Sequence, residues 1–146
     1  MLTSYNSDIV LWSKEQAYLL RSGDFSDIDI EHIAEEIEEV GKSEQRELAN
    51  RMAVLMTHLL KWHFQPARQG SSWEKTIKEQ RKSIIRRLNN TPSLKKSLTD
   101  DEWLADVWLD ARLAAEKETR INFDKFPDEC PWEIYNILEE SWLPTT

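Results

Sequence analysis

The side chains able to do chemistry in this chain fall into two sets. The first is acidic and imidazole. His32 and Glu36 stand four residues apart, which puts both on one helix face, and Glu35 and Glu39 share a neighbouring one. His58 follows between Leu55 and Trp62. A turn at Gly41 that folds two helices back antiparallel would bring Glu35 or Glu38 toward His58. Carboxylates and imidazoles converging inside a bundle are how helical proteins hold metal. One expectation is therefore a small metal-assisted hydrolase or nuclease, with Glu35, Glu38 and His58 as catalytic groups and His32, Glu36 and His58 as ligands. The pattern also argues against it. A bundle metal site wants paired Glu-x-x-His elements, and this chain offers only Asp29-x-x-His32. His58 and His63 are five apart, about 140° around a helix, which is wrong for a shared metal. A buried His58 hydrogen-bonded to a glutamate accounts for the same residues, because a buried polar group needs a partner. No cofactor is expected.

The second set is basic. Residues 61–96 hold ten Lys and Arg against two acids, a net +8. Residues 1–60 carry a net −7 and residues 97–146 a net −9, and the whole chain −8. Lys75, Lys78, Lys82 and Arg86 follow at i, i+3, i+7 and i+11, one polar stripe opposite Trp73, Ile77, Ile84 and Leu88. With Arg68 and Arg81 they are the candidate binding residues for a protein or nucleic-acid partner, since phosphates or an acidic surface can track such a stripe. Trp62 and Trp73 flank it and could stack on bases, although both lie on apolar faces that suit a core. No helix-turn-helix or zinc-finger spacing occurs, so base-specific readout is not supported. Internal complementation, with the basic helix packed beside acidic ones, explains the same charges without a partner.

Other chemistries are excluded more simply. The three glycines, Gly23, Gly41 and Gly70, form no phosphate-cradling loop. No Gly-x-Ser-x-Gly element occurs. Cys130, the one cysteine, sits before Pro131 without a basic cluster to activate it, and it has no partner for an internal disulfide. The chain shows no secretory signal and no apolar stretch near the roughly 20 residues of a spanning helix, so a cytoplasmic, non-membrane protein is expected.

The elements that must position these residues are helical. At 146 residues the chain fits one domain, 1–146, and 40% apolar residues with few Gly and Pro fit helices joined by short connections. Periodicity predicts a first helix from about Asp8 to Arg21, stopped by Gly23. A second starts near Asp29, carries Ile30, Ile33, Ile37 and Val40, and ends at Gly41. A third, from about Glu44 to Phe64, has the stripe Leu48, Met52, Leu55, Leu59 and Trp62. Ser71-Ser-Trp-Glu74 and Thr99-Asp-Asp-Glu102 read as capping boxes for helices to about Leu88 and Thr119. Ser93 to Leu98 reads as one short turn, 121–130 as loop, and Pro131 to about Glu140 as a last helix. The fold class is all-α, a bundle of five to six helices. Of the seven tryptophans, Trp103 and Trp142 are the candidates for an exposed interface.

Several stretches taken together resemble a known family. They are Glu35-Glu-Ile-Glu38, Gly41-Lys-Ser-Glu44, His58-Leu-Leu-Lys-Trp62, Ser72-Trp73, Thr76-Ile-Lys-Glu-Gln-Arg81, Pro92-Ser-Leu94, Phe126-Pro127 and Cys130-Pro131. The pattern resembles the bacterial, mostly cyanobacterial, family numbered twenty-nine among domains of unknown function. The resemblance implies an all-helical fold and a bacterial source. It brings no established activity, substrate or cofactor. The expected function is then a non-enzymatic binding or regulatory module that meets its partner through residues 61–96.

Overall fold

A computed structural model describes residues 1–145. They form five α-helices, α1 (Ile9–Arg21), α2 (Ile30–Phe64), α3 (Ser71–Asn90), α4 (Asp101–Thr119) and α5 (Ile134–Leu138), with short 3-10 segments at Pro66–Arg68, Pro92–Thr99 and Phe123–Lys125. No strand occurs among the described residues. The chain divides into two compact units, Met1–Ser43 and a second from Glu44 onward; α2 begins in the first and ends in the second.

In the first unit, Asp8 caps α1 by accepting from the Leu11 N–H at 3.1 Å. Gly23, at φ +75°, closes the helix as the pattern requires, in a conformation that a Cβ disfavours. Trp12, Gln16 and Leu19 are the buried residues of α1. The Gln16 Oε1 accepts from the Asp29 backbone N–H at 2.7 Å, and the Trp12 indole N–H donates to the Asp29 carboxylate at 3.0 Å. These bonds tie α1 to the start of α2.

Helix α2 corrects the sequence-based division. Two helices broken at Gly41 were expected, but one helix of 35 residues runs from Ile30 to Phe64. Gly41 sits inside it with nothing within 4 Å of where a Cβ would stand. A glycine in a helix costs only about 1 kcal/mol relative to alanine. Here it is flanked by Glu38, Glu39, Lys42, Glu44 and Gln45, mostly good helix formers, and no proline enforces a stop.

The second unit holds the main core. The C-terminal half of α2 supplies Leu48, Met52, Leu55, Met56, Leu59, Leu60 and Trp62; α3 adds Ile77, Ile84 and Leu88; α4 adds Val107, Trp108, Ala111 and Ala115. Phe126 and Ile137 complete it from the C-terminal segments. Two of the expected caps are shifted by one residue. Gly70 is the cap residue of α3 and Ser71 is its first residue, while Asp100, not Thr99, caps α4 by accepting from the Glu102 and Trp103 N–H groups at 3.0 and 3.2 Å. The last helix is shorter than expected and excludes Pro131. Trp103 and Trp142 are half-buried and packed against the core, which corrects their choice as exposed interface residues. No helix among the described residues is long and apolar enough to cross a membrane.

Candidate functional site

The acidic and imidazole set does not assemble. Because α2 has no turn at Gly41, the antiparallel approach of Glu35 or Glu38 to His58 is not formed. Each proposed ligand has other local partners. His32 donates from Nδ1 to the Asp29 carboxylate at 2.8 Å and stacks on Tyr5, with ring centroids 4.2 Å apart and planes within 11°. Glu36 accepts the Tyr5 hydroxyl at 2.6 Å. That bond, reinforced by burial and by the negative charges of Glu36 and its neighbours, pushes the Tyr5 pKa up to about 12. Burial pushes the Asp29 carboxyl up, but hydrogen bonds from the His32 ring and the Trp12 indole outweigh it and hold the group below its ordinary value. His58 donates from Nδ1 to the Val54 carbonyl at 3.0 Å, not to a glutamate as expected. Burial lowers its pKa below 6.5. Among the described residues no group of three His, Cys, Asp or Glu side chains could hold a metal ion.

Cys130 is half-buried. Its thiol donates to the Trp132 carbonyl at 3.4 Å, and burial raises its pKa. His63 lines a recess of about 390 Å³ with Phe64, Trp132 and Trp142, and its Nδ1 is buried without a hydrogen bond. That recess is walled by rings and prolines and has too few polar groups to orient a ligand.

The basic set divides in two. One part is neutralised internally. Arg87 reaches Glu44 and Glu47 at 3.3 and 3.4 Å, Lys61 reaches Glu118 at 3.6 Å and lies 5.2 Å above the Trp73 ring, and Lys75 stands 3.9 Å from Glu79. Arg81, expected beside the stripe as a binding residue, is instead buried. It is 4% exposed and donates from Nε to the Ile137 carbonyl at 2.8 Å and from its two terminal nitrogens to the carbonyls of Glu140 and Trp142 at 3.2 and 2.6 Å. Burial lowers its pKa, with the Glu139 charge acting in the opposite direction. The signal was in the sequence: Arg81 lies four residues after Ile77 and three before Ile84, on the apolar face of α3.

The other part stays open. Lys78, Lys82 and Arg86 are exposed and, among the described residues, make no ion pair. They stand one helical turn apart, about 6 Å of rise each, along a groove of about 460 Å³. Ile85 and Leu138 give the groove apolar lining, Asn89 and Asn90 line it as well, and Leu138 and Glu140 form a wall that comes from the C-terminal segment. Sequence reasoning missed that wall, because the segment Ile137–Trp142 is held against α3 by Arg81. Arg68 is exposed but lies outside the groove, in the turn Pro66–Arg68. Trp62 is buried and Trp73 is packed against the core, so neither offers a face for stacking along the stripe.

Fold and groove together define an all-α protein with a half-neutralised basic helix. The chain belongs to the family described as "Domain of unknown function DUF29", whose model matches residues 4–143. No curated protein and no solved structure matches it.

Proposed function

We propose that this chain is a non-enzymatic binding module that takes an acidic, partly apolar protein segment along the groove of α3. One observation carries the proposal: Lys78, Lys82 and Arg86 line a groove together with Ile85 and Leu138 and make no ion pair among the described residues. Cations left unpaired in a chain of net charge −8, where acids are in excess, leave a local field for an outside anion. The apolar lining of Ile85 and Leu138 favours a peptide with apolar side chains over a bare polyanion. The stripe lacks the aromatic platforms on which single strands stack. The same proposal sets the module in a reducing bacterial cytoplasm, consistent with its family resemblance and with a lone cysteine that needs no oxidising compartment.

The test is a fluorescence anisotropy titration with a labelled synthetic peptide that alternates Glu and Leu at helical spacing, run beside labelled single-stranded RNA and DNA at low and moderate salt. The peptide is expected to bind, more weakly as salt rises. The triple variant Lys78→Glu, Lys82→Glu, Arg86→Glu should weaken binding by about tenfold or more, since it reverses the facing charges. Arg68→Glu, outside the groove, should leave affinity almost unchanged. Binding of nucleic acid but not peptide would replace the proposed partner class, and binding of neither at low salt would overturn the groove as a site.

A further inference from the structure

The first unit exposes apolar side chains on the face of an acidic helix. Ile30, Ile37 and Val40 of α2 are 67%, 67% and 68% exposed. At 100° per residue, Ile30 and Ile37 fall within about 20° of one line along the helix, with Glu31 and Glu38 about 80–100° round from Ile30 and Glu35 further round at about 140°. None of these three glutamates makes an ion pair among the described residues. The whole unit, residues 1–43, holds ten acids and three bases, a net −7. It thus displays what the groove of α3 lacks: an amphipathic acidic helix with an isoleucine edge.

We infer that the occupant of the α3 groove is a second copy of this chain, docked through the N-terminal half of its α2. This rests on the groove reading above and names its partner. Charge and spacing both support it. Laid antiparallel on α3, Glu38 and Glu31 meet Lys78 and Arg86 in turn, about two helical turns apart in both helices, with Glu35 further round on the outer side of the contact. Ile30 and Ile37 then face Ile85 and Leu138, so that apolar area leaves water on both sides. The contact uses different surfaces on the two copies, which makes it heterologous. Opposite charges along both surfaces steer the encounter and set the register.

Sedimentation velocity on the full chain tests this. The protein is expected to associate as concentration rises at low salt and to dissociate at high salt. The groove-reversed variant (Lys78→Glu, Lys82→Glu, Arg86→Glu) and the helix-reversed variant (Glu31→Lys, Glu35→Lys, Glu38→Lys) should each be monomeric at concentrations where the parent associates, with the parent's helical circular dichroism. Mixed one to one, they should associate again, because each docking that joins the two variants sets opposite charges against each other. The milder pair Lys78→Glu and Glu38→Lys gives the same readout if a triple variant fails to fold. A parent that stays monomeric at all concentrations and salts sinks the inference. So does association that persists in the reversed variants, or a mixture that does not reassociate. The Glu-Leu peptide separates the two levels: if it binds a strictly monomeric parent, the groove reading stands and only the second-copy partner is lost.

Discussion

Arg81 holds the C-terminal segment against α3 through its geometry more than its charge. Its planar guanidinium supplies donors in a fixed fork, and here that fork meets three main-chain carbonyls of the segment Ile137–Trp142. Arg81→Ala leaves those carbonyls without a donor, at about 1–3 kcal/mol for each that stays buried. We expect a loss of about 3 kcal/mol or more in denaturant unfolding, and weaker peptide binding because Leu138 and Glu140 are no longer held beside α3. Arg81→Lys should recover little, since a single ammonium cannot reproduce the fork. A variant as stable as the parent would remove Arg81 as the pin of the groove wall.

Two titrating residues give pH signatures of opposite sign. Tyr5 is held protonated by Glu36, with its pKa raised from 10.0 to about 12. A raised folded pKa contributes stability that is fully present below pH 10 and is lost as pH rises toward about 12. Glu36→Gln should bring the Tyr5 ionisation back down, seen in the ring carbon shift by NMR. His58 is shifted the other way. Its folded pKa lies below 6.5, so its contribution is present above pH 6.5 and is lost as pH falls through the folded value. Melting temperatures should therefore drop on the acid side of pH 6.5, and less so in His58→Gln, which has no imidazole to protonate. Equal acid sensitivity in the two proteins would assign the drop to other groups, such as Asp29, whose lowered pKa acts below 3.8 in the same direction.

Among the elements, α2 is the one the sequence divided wrongly, and Gly41 is the reason. Periodicity does not register a single glycine as continuous or broken, and a strong helix former on either side decides. Nothing crowds a Cβ at this site, and the backbone is already helical. Gly41→Ala should therefore stabilise the protein by about 0.5–1 kcal/mol, read as a higher denaturation midpoint at unchanged slope. Gly23→Ala should do the reverse, because φ +75° there is strained for any side chain. If Gly41→Ala destabilises, the helix is not continuous in solution. The stripes of α2, α3 and α4 were legible because core-facing residues at three- and four-residue spacing are a strong signal over 15 residues or more. The groove was only half legible. Lys78, Lys82 and Arg86 could be read off α3, but the opposite wall comes from residues about 60 positions later, joined through hydrogen bonds to main-chain carbonyls that carry no side-chain code.

For the whole molecule, the core is distributed unevenly. The second unit buries a continuous cluster of large apolar side chains from Leu48 to Ile137. In the first, Trp12 and Leu19 are the buried hydrophobics, while Ile30, Ile37 and Val40 face solvent. Local stability follows buried apolar contact, so regions with little of it open at lower free energy than the global transition. Backbone amides of α1 should then exchange with deuterium faster than those of Met52–Leu60, whose side chains sit in the core. Low salt and high protein concentration should slow exchange in the N-terminal half of α2 if a second copy covers it, and should leave Met52–Leu60 almost unchanged. The comparison is made by hydrogen-exchange mass spectrometry at two salt concentrations on the same sample. Equal protection of α1 and Met52–Leu60 at high salt would mean that the first unit draws its stability from something other than its own buried side chains. Protection of residues 30–40 that does not respond to salt would mean that the acidic face of α2 is not where copies meet.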